Sequence, residues 1–294
     1  MTELNAEPPP PSASDKAPGV CHSPDNPAPS LPSWARLPIN RCNLPAVILG
    51  SVTFQRHPTA LRLDGVEELH AGLFALLDRE DDAHERARLF REGLAAHFCL
   101  DSLEDAGLDA HTHKRAKANW LRMLRGWSFD SDSREGAALK GWVESRFGLV
   151  PRFHIDPLRD FTGPAWHRYE SMRAAGVSGT NAIEGQLDLL YAWCQREFAR
   201  LGAQPRLTLY RGINRIDEHE VLSGNGRRQV VLFNNLASFT SSRERAGEFG
   251  DWIIEADVPT AKVFFHCGLT PGVLKGEGEH LVIGGAYEVA VGTL

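Results

Sequence analysis

The sequence predicts an α+β fold: a helical N-terminal half followed by a mostly antiparallel set of strands. Three observations carry this. Apolar residues recur at helical spacing between Val66 and Phe198. After Gly202 the pattern changes to five short runs rich in Val, Ile, Leu and Phe, separated by Gly, Pro and Asn or Asp. Helices come first and strands afterwards, which argues against alternating β-α units.

Taken in order, residues 1–33 are rich in Pro, Ser and Ala, with a proline run from Pro8 to Pro11. Such a segment cannot offset the entropy of ordering its backbone and is expected to be a disordered tail. Residues 34–294 read as a single domain, with a helical part over 34–202 and a β-rich core over 203–294. Leu44 to Phe54 (LPAVILGSVTF) reads as a buried segment, extended or mixed. Helical stripes follow at Leu69, Leu73, Leu76 and Leu77, then at Leu89, Phe90, Leu94 and Phe98. Trp120, Leu121, Leu124 and Trp127 form a third; Leu139, Trp142, Val143 and Phe147 a fourth, stopped by Gly148. The strongest helix carries Ile183, Leu187, Leu190, Tyr191, Cys194 and Phe198 on one face, with Gly202 as its stop. Asn181, three residues before Glu184, has capping-box spacing at its start. The strands are expected at RLTLYRG, RQVVLFNNLASFTS, DWIIEADVP, KVFFHCG and EHLVIGGAYEVAV.

Composition narrows the function classes. With 38 acidic and 32 basic side chains in 294 residues, the formal charge of -6 argues against a general nucleic-acid binder, a local basic patch aside. Five scattered cysteines with no C-x-x-C pair argue for reduced thiols in the cytoplasm and against a zinc site. The N-terminus lacks a basic and an apolar region, and no run approaches the roughly 18 apolar residues that span a membrane. No G-x-G-x-x-G follows a strand, and neither a Walker A nor an H-E-x-x-H pattern occurs. Dehydrogenase-type NAD binding and metal-dependent hydrolysis therefore have no support.

Three strand regions carry candidate chemistry. Glu277 and Glu279 flank Gly278 where a glycine-bounded loop enters the last strand. In an extended chain they share a face with Leu281 and Ile283, which carries two carboxylates to the rim of a cleft. Arg211 ends the apolar row Leu207, Leu209; its planar fork suits a carboxylate or a phosphate, and Gly212 lets a ligand approach the backbone. In LASFTSSRERAGEFG, Ser238 and Thr240 share a strand face, and Ser241 with Glu244 has the spacing of a helix N-cap.

The order Arg211, Ser238, then Glu277-x-Glu279 resembles the R-S-E class of mono-ADP-ribosyltransferases. The stretches LPINRCNLPAVILGSVTFQRHPTALRLDGV, YRGINR and GEGEHLVIGG extend the likeness to the dinitrogenase-reductase ADP-ribosyltransferase family of nitrogen-fixing bacteria. The resemblance implies a split β-sandwich and NAD as substrate, with no metal. It implies that Glu279 stabilises the ribose cation and that Glu277 prepares an acceptor arginine. It further implies that Arg211, Gly212, Ser238, Thr240 and Ser241 contribute to NAD binding. Where the class often has Ser-Thr-Ser this chain has Ser238-Phe239-Thr240, so both Ser238 and Ser241 stand as the motif serine. Dinitrogenase reductase is the implied protein substrate and a P-II type signalling protein the implied regulator. An NAD glycohydrolase, a transferase with another acceptor and a non-catalytic nucleotide-sensing module are the competing readings.

Overall fold

A computed structural model describes residues 29–101, 119–178, 182–215, 219–270, 274 and 278–293. Helices α1 (Ala46–Leu49) and α2 (Val52–Arg56) occupy the first apolar segment, whose type the sequence left open. Ser51 breaks them and caps α2 by accepting from the Phe54 N–H. Next come α3 (Val66–Leu69), α4 (Ala71–Leu77), α5 (Ala83–His97), α6 (Trp120–Phe129), α7 (Arg134–Phe147), α8 (Pro164–Ser178) and α9 (Ile183–Arg200). A two-stranded ribbon, β1 (Phe153–His154) with β2 (Asp156–Pro157), lies between α7 and α8.

Several expected details shift. The stripe from Leu69 to Leu77 is interrupted at His70, where one short helix ends and another begins. That break resets the helical phase, so Leu69 and Leu76 are exposed while Phe74 and Leu77 are buried. The proposed cap Asn181 lies outside the described residues; α9 starts at Ile183 after Ala182, whose φ is 48°. Glu184 accepts from Arg146 Nη1 at 3.0 Å. The stripe on α9 is buried throughout.

The strands are β3 (Arg206–Ile213), β4 (Glu220–Asn225), β5 (Arg228–Thr240), β6 (Trp252–Pro259), β7 (Val263–His266) and β8 (Glu279–Thr293). A short helix, α10 (Arg243–Ala246), follows β5. Every pairing among the described residues is antiparallel. Long β5 and β8 pair along most of their length. The pairings then run from β8 to β6, from β6 to β3, and from β3 back to β5 through the single pair Tyr210–Thr240. The circuit opens where β6 and β8 part, beyond Ala256 and Val289. Buried Gln55 fills that split: its amide nitrogen donates to the carbonyls of Asp257 (3.2 Å) and Glu288 (2.9 Å), and its oxygen accepts from the Glu288 N–H at 2.7 Å. One side chain thus satisfies backbone groups that the diverging strands no longer pair.

One continuous apolar core runs from Leu31 to Val291 and includes residues of both halves. Phe90 stacks on Trp193 at 4.2 Å, and the buried pair Arg86–Glu197 (2.8 Å) ties α5 to α9. Asn235, at a bulge in β5, donates to the carbonyls of Lys140 (2.7 Å) and Leu149 (3.0 Å) and so fixes the end of α7 to the sheet. Opposite that bulge a side chain at Gly284 would collide with the Asn234 carbonyl, which accounts for glycine there.

Gln55→Ala leaves the Glu288 N–H buried without its acceptor. It is expected to lower unfolding free energy by about 1–3 kcal/mol, measured by urea denaturation of the native and variant proteins.

Candidate functional site

The three candidate strand regions meet at the closure of the circuit. Thr240 pairs with Tyr210 of β3 on one side and with Glu279 of β8 on the other. Arg211 follows Tyr210, and Ser238 lies two residues before Thr240 on the same face. Ser238 pairs with Leu281, so Glu279 is its diagonal neighbour on that face, within reach of a short side chain.

The contacts are direct. Ser238 Oγ donates to Glu279 Oε1 at 2.7 Å and accepts from Trp127 Nε1 at 2.8 Å. Ser128 Oγ donates to Glu279 Oε2 at 3.0 Å. Arg211 Nη1 donates to the Ser238 carbonyl at 2.8 Å. Trp127 and Ser128 end α6, and the sequence analysis had assigned Trp127 only to an apolar stripe. An indole N–H that needs a partner when buried was the available hint; nothing in the sequence singles out Ser128.

The other candidates divide. Ser238 is the serine in contact with Glu279; Ser241 is exposed. The helix cap falls one residue later than expected: Ser242 Oγ accepts from the Arg245 N–H and donates to Glu244. The shift arises because Thr240 Oγ1 accepts from the Ser242 N–H, carrying the turn one residue further before α10 begins. Gly212 does line the cleft. A side chain there, however, would collide with the Ala246 carbonyl of α10, so helix packing by itself requires a glycine.

Glu277 lies outside the described residues. β8 begins at Glu279, and Gly278 before it has φ 82°. Two histidines pin this junction: His266 Nδ1 donates to the Glu279 carbonyl (3.1 Å) and His280 Nδ1 to the Gly278 carbonyl (2.8 Å). Their rings stack at 4.0 Å. The sequence also places five basic side chains, Lys114, Arg115, Lys117, Arg122 and Arg125, at and before α6, where a solvated helix face is the expectation; Arg122 pairs with Glu135 at 3.2 Å and Arg125 is exposed. Lys114, Arg115 and Lys117 lie outside the described residues.

Two cavities adjoin across this cluster. One, of about 700 Å³, is bounded by Tyr210, Arg211, Phe249 and Glu279. The other, of about 530 Å³, is bounded by Lys140, Arg152, Arg159 and His219. They share Trp127, Ser131, Arg211 and Ser238. Glu279, Glu248 and Arg245 line the larger cavity; Lys140, Arg152 and Arg159 line the smaller one together with Asp132 and Glu220. Burial pushes the Lys140 ammonium down, while its bond to Asp132 at 2.8 Å holds it up. Sizes of this order suit a substrate rather than a single ion. Among the described residues no cluster of His, Cys, Asp and Glu is disposed to hold a metal, and no helix is long and apolar enough to cross a membrane.

A strand-closure carboxylate held by a serine, with an arginine on the adjoining strand, now has a family to which it can be referred. Residues 39–291 match the model of the Dinitrogenase reductase ADP-ribosyltransferase (DRAT) family, and the chain belongs to that family. It is 41% identical over 256 residues to the "NAD(+)--dinitrogen-reductase ADP-D-ribosyltransferase" of Rhodospirillum rubrum. The alignment covers 85% of this chain and 93% of that relative. No solved structure matches the chain.

Buried His154 and His280 and half-buried His219 are expected to make the fold sensitive to acid. Burial pushes His154 and His280 down to about 4 and His219 to about 3, with the neighbouring cations Lys140, His266 and Arg211 adding to the effect. They stay neutral when folded and bind protons near 6.5 once unfolded, so the unfolded state gains protons first. Stability is expected to be full above that pH and to fall as pH drops toward 4, measured by urea unfolding at stepped pH. His280→Gln should make the decline shallower.

Proposed function

We propose that this protein transfers ADP-ribose from NAD to a specific arginine of dinitrogenase reductase and thereby inactivates nitrogenase. Family membership supports the activity, and the observation that carries the chemical reading is the Glu279 carboxylate, held on both oxygens and facing the larger cavity. In this reading the open circuit of strands is the split β-sandwich of the ADP-ribosyltransferase class, with NAD in the cleft.

The chemistry follows from the donor. Nicotinamide leaves NAD as a neutral molecule from a cationic ring, so its departure needs no general acid. The ribose left behind acquires positive charge, and a fixed carboxylate stabilises that charge as it develops. Glu279 takes this role. Each of its oxygens can accept more than one hydrogen bond, so the serine contacts leave capacity for ribose hydroxyls.

Ser238 orients the carboxylate, and Arg211 together with Arg152 and Arg159 faces the diphosphate. Tyr210, Gly212, Thr240 and Phe249 surround the nicotinamide end, with Ser241 further out. The placement of Arg152 and Arg159 in the cavity that Glu279 does not line supports this orientation, since NAD carries its anionic diphosphate away from the carbon where positive charge develops.

The acceptor supplies the second requirement. A guanidinium, with a pKa above about 12, attacks the ribose carbon only as it gives up a proton. Glu277 accepts that proton and orients the arginine. The new bond forms from guanidine nitrogen to ribose carbon as the bond to nicotinamide breaks. A P-II type signalling protein enters the same reading as regulatory partner.

The test incubates the protein with purified dinitrogenase reductase and NAD labelled in its adenylate portion, beside Glu277→Gln. The expected result is label on one arginine of the acceptor. In the variant that label is lost while slow nicotinamide release persists. Release of nicotinamide with no label on the native reaction's acceptor would point to a hydrolase or to another acceptor.

A further inference from the structure

The function assigned above uses Ser238 and Glu279 but leaves unexplained why the end of α6 reaches both of them. Trp127 is buried, and its Nε1 donates to Ser238 Oγ at 2.8 Å. A serine hydroxyl has one hydrogen to give. With its oxygen already accepting from the indole, that hydrogen is directed at Glu279 Oε1, 2.7 Å away. Ser128, the next residue, grips the other carboxylate oxygen at 3.0 Å. The two side chains leave one helical turn by different routes and converge on one carboxylate.

We infer that Trp127 and Ser128 are positioning residues for the transfer reaction, the first acting through Ser238 and the second directly, and that α6 thereby sets the rotamer in which Glu279 meets the ribose. The inference rests on the reading of Glu279 given above.

The surroundings of α6 fit this role. At its start the Trp120 N–H donates to Gln186 of α9, a fully buried side chain, at 3.0 Å. Gly126, one residue before Trp127, lies so close to Glu135 of α7 that a Cβ would overlap that side chain. Lys140 Nζ of α7 lies 5.8 Å from the centre of the Trp127 ring. The helix is held at its N-terminus and along its flank, so its last turn can hold a carboxylate that a strand end and a left-handed glycine would leave free to rotate. Two neutral donors do this without cancelling the negative charge that the reaction uses.

The test measures nicotinamide release from NAD in the presence of purified dinitrogenase reductase, with kcat and KM separated, for the native protein, Trp127→Phe, Ser128→Ala, Ser238→Ala and the Trp127→Phe/Ser238→Ala double variant. Phenylalanine keeps the buried ring and removes only the donor. Ser128 is exposed, so its alanine variant tests the idea without disturbing a core. Thermal melting of each variant accompanies the kinetics.

Trp127→Phe and Ser128→Ala are each expected to lower kcat about tenfold, with KM for NAD within about twofold. Trp127→Phe should change kcat by less than about twofold once Ser238 is alanine, because the hydroxyl through which it acts is gone. An equal loss from Trp127→Phe with and without Ser238, a rise in KM at unchanged kcat, or native rates in both single variants would each overturn the inference. If the native protein released no nicotinamide, the assigned function would fail instead.

Discussion

Thr240 is where the sheet closes and where the chemistry gathers. It is paired on both sides, with Tyr210 and with Glu279, and that double pairing brings together strands whose relevant residues lie far apart in sequence. Arg211, Ser238 and Glu279 each sit within two residues of a member of this closure. Their mutual distances therefore follow from backbone hydrogen bonding rather than from loops. Gln55, in the split on the other side of the circuit, satisfies the backbone that closure leaves open.

The closure also fixes a charge. Glu279 is held by two hydroxyls, and among the described residues no ion pair forms with it. Its charge is thus fixed in position by neutral donors, a condition under which a carboxylate stabilises a cation that appears during reaction. Arg152 and Arg159 line the adjoining cavity, Arg211 lines both, and Arg245 lines the cavity of Glu279 itself. A donor that is anionic at its centre and becomes cationic at one ribose suits a carboxylate in one cavity and Arg152 and Arg159 in the next.

Much of this was legible in the sequence because it is local. Strand alternation placed Ser238 and Thr240 on one face, and the stripes of α7 and α9 gave the buried helix surfaces. What was not legible depends on tertiary placement. Trp127 has the spacing of an ordinary core residue, and only the approach of β5 gives its N–H the Ser238 hydroxyl as a partner. The cap at Ser242 rather than Ser241 turns on one bond from Ser242 to Thr240. The break at His70 overrides a plausible leucine stripe. Each miss is a place where a single backbone angle or long-range contact outweighs periodicity.

The account depends most on the fixed negative charge of Glu279, and Glu279→Gln removes that charge while keeping the shape of the side chain. NAD binding by titration calorimetry and single-turnover nicotinamide release would be measured on the same preparations. The account predicts a rate lowered by about 100-fold to 1,000-fold, with NAD affinity changed by no more than about threefold. A variant that binds NAD and releases nicotinamide at the native rate would contradict it, because the charge at the strand closure would then play no part in the reaction.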